Sequence, residues 1–126
     1  MSYFNSYNRI DIALDPFPFP GATTSVQALW MGVPFITKKG NRFISHNGET
    51  IAYNSGQADW IAENDSEYIA KAVRYSADID ALAKLRYGLR AQVLASPLFD
   101  ADRFARNFEK AMFEIWEDYM SGKQNA

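Results

Sequence analysis

The sequence predicts an α/β domain in which a short parallel sheet gives way to a helical carboxyl-terminal half. Residues 10–37 read as an apolar strand, a Pro-rich turn, Gly21-Ala22-Thr23-Thr24, an amphipathic helix, Gly-Val-Pro and a second strand. Strand, helix and strand in that order imply a right-handed parallel crossover. From residue 66 onward the apolar residues recur at helical spacing only.

Ile10, Ile12, Ala13 and Leu14 form a nearly continuous apolar run stopped by Pro16, Pro18 and Pro20, which suits a short buried strand ending at Asp15. Thr23 or Thr24 is placed to cap the next helix, where Val26, Leu29 and Trp30 make one stripe and Gly32 marks the end. The second strand is expected over residues 33–37, with Pro34 near its start where a missing N–H is tolerated. A polar loop over residues 38–42 leaves its carboxyl end, where ligands of open α/β sheets usually sit. A short helix over residues 45–54 follows, broken by Gly56, and residues 59–62 suit a third short strand or extended turn.

Asn64, Asp65 and Ser66 offer a cap for a helix over residues 66–77, with Tyr68, Ile69, Ala72 and Val73 on one face and Lys71 and Arg74 elsewhere. Asp78 caps a fourth helix striped by Leu82, Leu85, Leu89 and Val93. That helix stops at Ser96-Pro97, because the residue before proline is pushed out of helical geometry. Asp100 caps the last helix, whose aromatic and apolar side from Phe104 to Tyr119 suits packing against another domain better than a ligand box. Only two clear strands precede this helical remainder, so the sheet is expected to be incomplete. The chain therefore reads as the carboxyl-terminal portion of something larger, or as one that pairs its sheet edge with another chain.

At 126 residues, with 48% hydrophobic and 22% charged residues, one folded domain with one core is expected. A formal charge of -2 and no basic run beyond Lys38-Lys39 argue against a nucleic-acid partner. The absence of cysteine excludes disulfides, thiolate metal sites and a cysteine nucleophile. No apolar stretch approaches the roughly 18 residues of a membrane span. The amino terminus lacks a basic segment followed by an apolar core, so a cytoplasmic location is expected and no membrane partner.

The best anion site is the turn Gly21-Ala22-Thr23-Thr24, where a helix N-terminus, a permissive glycine and two hydroxyls meet. An ordinary threonine-capped turn is the competing reading, and the turn is neither a GxGxxG fingerprint nor a Walker motif. Gln27, one turn into the helix, can reach a ribose hydroxyl or simply face solvent. Lys38, Lys39 and Arg42 lie where they can neutralise a diphosphate, although at least two are expected to be merely solvated. His46 is the sole histidine and suits a polar surface role, or one supporting a site residue from behind, better than catalysis. Asp11 and Asp15 lie about 13 Å apart on an extended strand and form no paired-carboxylate dyad.

The stretch DIALDPFPFPGATTSVQALWMGVPFIT, followed by GNRFISHNG and by ASPLFDADRFARNFEKAMFEIWEDY, resembles the carboxyl-terminal end of the protein O-GlcNAc transferase family, bacterial tetratricopeptide-associated members above all. The Gly-x-Thr-Thr turn, the Leu-Trp-Met-Gly-Val-Pro helix exit and the Ser-Pro-Leu-Phe-Asp boundary carry the likeness, which covers nearly the whole chain. It implies a partial Rossmann-like fold, the carboxyl-terminal domain of a GT-B inverting glycosyltransferase, with residues 1–126 as the end of a nucleotide-sugar-binding domain. The implied reaction moves N-acetylglucosamine from UDP-GlcNAc to protein serine or threonine, with no cofactor and no metal. The turn matching Gly21, Ala22, Thr23 and Thr24 then holds the UDP diphosphate, Gln27 reaches the ribose, and Tyr3 falls beside the uracil.

Animal members carry histidine at the position of Ala22 and aspartate at that of Gln27, so one diphosphate contact is absent and the ribose contact is changed. The resemblance implies a UDP-sugar and a protein acceptor as partners, together with an amino-terminal catalytic domain or partner chain, without which the isolated chain is expected to be inactive. Two alternatives stand beside it: a non-enzymatic remnant or assembly module pairing with a larger glycosyltransferase chain, and a UDP-glucose-using relative that modifies asparagine.

Overall fold

The computed structural model describes residues 3–122, and its organising element is one central strand. After a 3-10 turn over Tyr3–Arg9 come β1 (Ala13–Leu14), α1 (Thr23–Trp30), β2 (Phe35–Lys38), α2 (Asn47–Asn54), β3 (Ile61–Ala62), α3 (Asp65–Ala77), α4 (Ile79–Leu94) and α5 (Ala101–Met120). The strands form a parallel sheet of order β1-β2-β3, with Ala13 opposite Phe35 and Thr37 opposite Ile61. The short parallel sheet and helical carboxyl-terminal half are those expected from the sequence.

Side chains alternate across a strand, and β2 uses the alternation to build both halves of the core. Phe35 joins Leu29 of α1, Ile51 and Ala52 of α2, and Leu89 and Val93 of α4. Ile36 faces the other way, toward Trp60 and Leu82, with Tyr68, Ala72 and Tyr75 of α3 packed against them. α4 thus serves both faces, its first turns on one and its last on the other.

Several expected boundaries move. The first strand is confined to Ala13–Leu14. The 3-10 turn persists to Arg9, the Ile10 amide donates back to the Tyr7 carbonyl, and Ile10 and Leu14 are exposed rather than buried. Pairing in β2 begins at Phe35 and runs on to Lys38, past the expected end at Thr37. Residues 58–60 form a 3-10 turn before the third strand, and a 3-10 turn over Phe43–His46 precedes α2. Gly32 and Gly56 end their helices with φ of +74° and +75°, a conformation that only glycine adopts without strain.

Neither Thr23 nor Thr24 caps α1, contrary to expectation: Ala22 occupies the cap position and offers no side-chain acceptor. The other expected caps form. The side chain of Asn64 accepts from the Glu67 amide, that of Asp78 from the Ala81 amide and that of Asp100 from the Arg103 amide.

The inner face of α3 matches the expected one only in part, through Tyr68 and Ala72. Ile69 and Val73 are exposed, while Lys71 lies half-buried with its ammonium donating to the Ile61 carbonyl at 2.6 Å. The long lysine stem covers apolar surface while its charge satisfies the end of β3. Tyr68 and Tyr75 fix the rotation of the helix, the first by a hydrogen bond to the Asp15 carbonyl, the second by stacking on Trp60 at 4.2 Å.

Every residue of α5 is exposed, including Phe104, Phe108, Met112, Ile115, Trp116 and Tyr119. Among the described residues its apolar side packs on no other element of the fold. No helix of the described residues is long and apolar enough to cross a membrane.

Candidate nucleotide-sugar site

β1 hands the chain directly to the candidate site. The Asp15 amide still belongs to the sheet, donating to the Ile36 carbonyl at 2.9 Å, and the backbone then turns through the proline loop to Gly21. The Asp15 carboxylate, 4% exposed, closes that loop. One oxygen accepts from the Gly21 amide at 2.7 Å and from the Ser25 hydroxyl at 3.4 Å, and the other accepts from the Thr37 hydroxyl at 2.7 Å.

Burial holds the Asp15 carboxyl above its ordinary value of 3.8, and the hydrogen bonds from Gly21, Thr37 and Ser25 pull the other way. A β-carbon on Gly21 would run into the Ser25 and Thr24 hydroxyls, so this turn closes tightly only with glycine.

Thr23 and Thr24 lie exposed at the start of α1. With no side-chain cap, the amides of the first helical turn keep no partner within the helix, and the positive end of the helix dipole lies among them. The Gly21 amide, in contrast, is already committed to Asp15. The turn therefore offers an anion the threonine hydroxyls and helical amides rather than the glycine N–H.

Two further residues singled out in the sequence meet here. The Tyr3 hydroxyl donates to the Gln27 side-chain carbonyl at 2.9 Å and lies 3.1 Å from the Tyr7 hydroxyl. The Tyr7 hydroxyl also reaches the Thr24 carbonyl at 3.5 Å, at the limit of a hydrogen bond. Burial, reinforced by its neighbour Tyr3, pushes the Tyr7 phenol up to about 12, so it stays a neutral hydroxyl at physiological pH. Gln27 is thus half-buried and held by an aromatic side chain from the amino-terminal turn.

The two lysines of the cationic loop are engaged by carboxylates. Lys38 pairs with Asp65 at 2.5 Å and lies 3.7 Å over the Phe17 ring, while Lys39 pairs with Glu63 at 2.6 Å and with Glu49 at 3.7 Å. These two lysines, with Phe17, Pro18, Ser45 and Glu63, line an open cavity of about 530 Å³ beside the proline loop. His46 stands half-exposed, its Nδ1 2.7 Å from Glu49, in the surface role expected for it. Asp11 pairs with Arg86 at 2.5 Å, so the two aspartates flanking β1 serve separate structures.

Sequence reasoning singled out the turn and Gln27 but missed Asp15, Ser25 and Thr37 as a unit. One signal was available: a carboxylate at the very end of a buried strand needs donors, and three prolines with a glycine after it bring the chain back to supply them.

A family profile described as glycosyl transferase family 41 matches residues 7–108. Among similar proteins, a probable UDP-N-acetylglucosamine–peptide N-acetylglucosaminyltransferase SPINDLY of Solanum lycopersicum is 34% identical over 120 residues, 95% of this chain and 13% of that protein. A UDP-N-acetylglucosamine–peptide N-acetylglucosaminyltransferase of Caenorhabditis elegans is 30% identical over 112 residues, 89% of this chain and 10% of that protein. The structure of a Thermobaculum terrenum O-GlcNAc transferase mutant superposes with a TM-score of 0.85 at 32% identity, covering 96% of this chain and 23% of that one.

Proposed function

The chain belongs to glycosyl transferase family 41, and from that footing we propose that it is the UDP-sugar-binding segment of an inverting glycosyltransferase that passes N-acetylglucosamine to protein serine or threonine. It spans about 13% of the length of the curated SPINDLY relatives it matches, and on the reading proposed the complete reaction draws on parts beyond this segment. Residues 1–126 form the carboxyl-terminal portion of the donor domain, acting in the cytoplasm together with an amino-terminal catalytic domain or partner chain.

In an inverting transfer the acceptor oxygen attacks the anomeric carbon, the bond to the phosphate oxygen breaks, and UDP departs with the electron pair. Negative charge therefore grows on the diphosphate, and groups already aimed at it lower the barrier. The Thr23 and Thr24 hydroxyls and the amides of the first α1 turn supply such groups. Ala22 adds no side-chain donor, so the backbone carries that position. Gln27, held by Tyr3, faces the ribose, and the Tyr3 ring flanks the uracil. No step in this scheme calls for a metal.

The observation that carries the reading is the hydrogen-bonded Tyr3–Gln27 pair set against an uncapped helix N-terminus: a base-and-ribose side and a phosphate side on one helix. Titrating UDP into the isotopically labelled chain tests it. Shifts concentrated on residues 21–27 and on Tyr3 are expected, and no response at millimolar UDP would sink the reading. Comparison of UDP-GlcNAc with UDP-glucose separates the O-GlcNAc assignment from the asparagine-modifying alternative.

The unpartnered apolar side of α5 is the one observation that favours the assembly-module reading, and the two are compatible if the docked partner is the rest of the transferase. A chain that binds a larger glycosyltransferase polypeptide but never UDP would leave the module alone standing.

A further inference from the structure

Asp15 occupies a position that electrostatics alone disfavours. A buried carboxylate is costly unless hydrogen-bonded, and one lying directly behind a phosphate turn repels the ligand that the turn attracts. Its surroundings give it a different task. Three segments end on it: the Gly21 amide from the turn, the Ser25 hydroxyl from the first turn of α1, and the Thr37 hydroxyl from β2. Ser25 and Thr37 are both buried, Thr37 completely.

α2 closes the arrangement from a fourth side. A β-carbon on Gly48 would collide with the Thr37 hydroxyl and the second Asp15 oxygen, so only glycine lets α2 lie this close. The Asp15 backbone is fixed as well, its amide to Ile36 in the sheet and its carbonyl to the Tyr68 hydroxyl at 2.9 Å.

We propose that Asp15 is the positioning residue of the 21–24 turn: its carboxylate ties the turn to β2 and α1, and so sets the shape in which Thr23, Thr24 and the helical amides meet a nucleotide diphosphate. The ligand part of this rests on the donor-site reading; the shaping of the turn does not. Asp15 touches no substrate and is not a catalytic residue. Because its task is shape, the neutral isostere serves: in Asp15→Asn the side-chain oxygen still accepts from Gly21, and the amide nitrogen donates to Thr37, whose hydroxyl then acts as acceptor.

Two readouts on the complete 126-residue chain test this, one without ligand and one with UDP. In the absence of ligand, Asp15→Ala and Thr37→Val are expected to displace the amide resonances of residues 21–25 and to abolish slow exchange of the Gly21 amide. Gly48→Ala, on a different helix, is expected to act as Thr37→Val does. With UDP, the same variants should bind about tenfold more weakly, the scale of a lost hydrogen bond to a charged group. Asp15→Asn should stay within about threefold of wild type, as expected when the hydrogen bonds are kept and only the charge is removed.

Val93→Ala in the core is the control, since it lowers stability through packing while leaving the turn amides and UDP affinity where they are. The inference is overturned if the amides of residues 21–25 keep their wild-type positions in Thr37→Val and Gly48→Ala, or if Val93→Ala moves them as much. Where Asp15→Ala fails to fold, Thr37→Val carries the decision. A wild-type chain indifferent to UDP overturns the donor-site reading, and the ligand-free amides still decide whether Asp15 shapes the turn.

Discussion

Threonine at the start of a helix commonly spends its hydroxyl on capping, and α1 departs from that habit because Ala22 takes the cap position. The exposed Thr24 hydroxyl is thereby free to serve a ligand. Thr24→Val is expected to lower UDP affinity about tenfold, the scale of one hydrogen bond to a charged acceptor, with no loss of fold; calorimetric titration beside a circular-dichroism melt reads both. Asp15 gives a second residue-scale expectation, through pH. Its carboxyl binds a proton more tightly in the folded state, because burial raises it above 3.8. The stability this contributes is complete below the unfolded value and is lost as pH rises through the raised folded value. Asp15→Asn cannot titrate, so urea unfolding of both proteins from acid to neutral pH isolates the effect. Wild type should lead Asp15→Asn most in acid and fall back as pH rises, and a pH-independent difference would contradict the assignment.

The helices differ in how their ends and faces were set, and the difference explains what could be read in advance. Caps are local: Asn64, Asp78 and Asp100 each accept from an amide three residues on, and each was visible as a polar residue before an apolar stripe. Asn64→Ala should accordingly cost about 1 kcal/mol, measured by chemical denaturation. Faces are not local. Spacing alone put Ile69 and Val73 inward on α3, but the sheet rotates that helix through Tyr68 and Tyr75, whose partners Asp15 and Asp59 lie far away in sequence. The Asp15 cluster was hidden for the same reason, since Thr37 comes 22 residues later and no short motif links the two. α5 marks the opposite limit, a strong stripe with nothing under it. Deleting residues 101–126 should change the unfolding free energy of the remainder by less than about 1 kcal/mol, because stabilisation follows apolar area removed from water and this helix removes little. A large loss would mean that α5 packs on the domain in solution.

At the scale of the whole molecule, the sheet has strands of two, four and two residues, and one strand joins both core layers. The parallel crossover was legible because its strand, helix and strand are consecutive; the third strand was ambiguous because two residues carry no periodicity. Charge is arranged with similar economy. The net charge is -2, and the two lysines nearest the strand ends are paired with Asp65, Glu63 and Glu49, so no broad cationic field draws a nucleotide in. On the function proposed here, an anion is held instead by short-range donors of the 21–24 turn. Two consequences for the intact chain follow from that. Ligand that binds only the folded state stabilises it by mass action, about 2.7 kcal/mol at a hundredfold excess over Kd. For a chain of this size that corresponds to a rise in Tm of about 10 °C. UDP should produce that rise and uridine, lacking the diphosphate, should produce almost none. The UDP affinity should also fall less than about threefold over a tenfold increase in salt, since screening weakens fields between separated charges far more than hydrogen bonds at contact. A steep salt dependence, or equal stabilisation by uridine, would move the binding energy away from the turn and onto the lysines or the base.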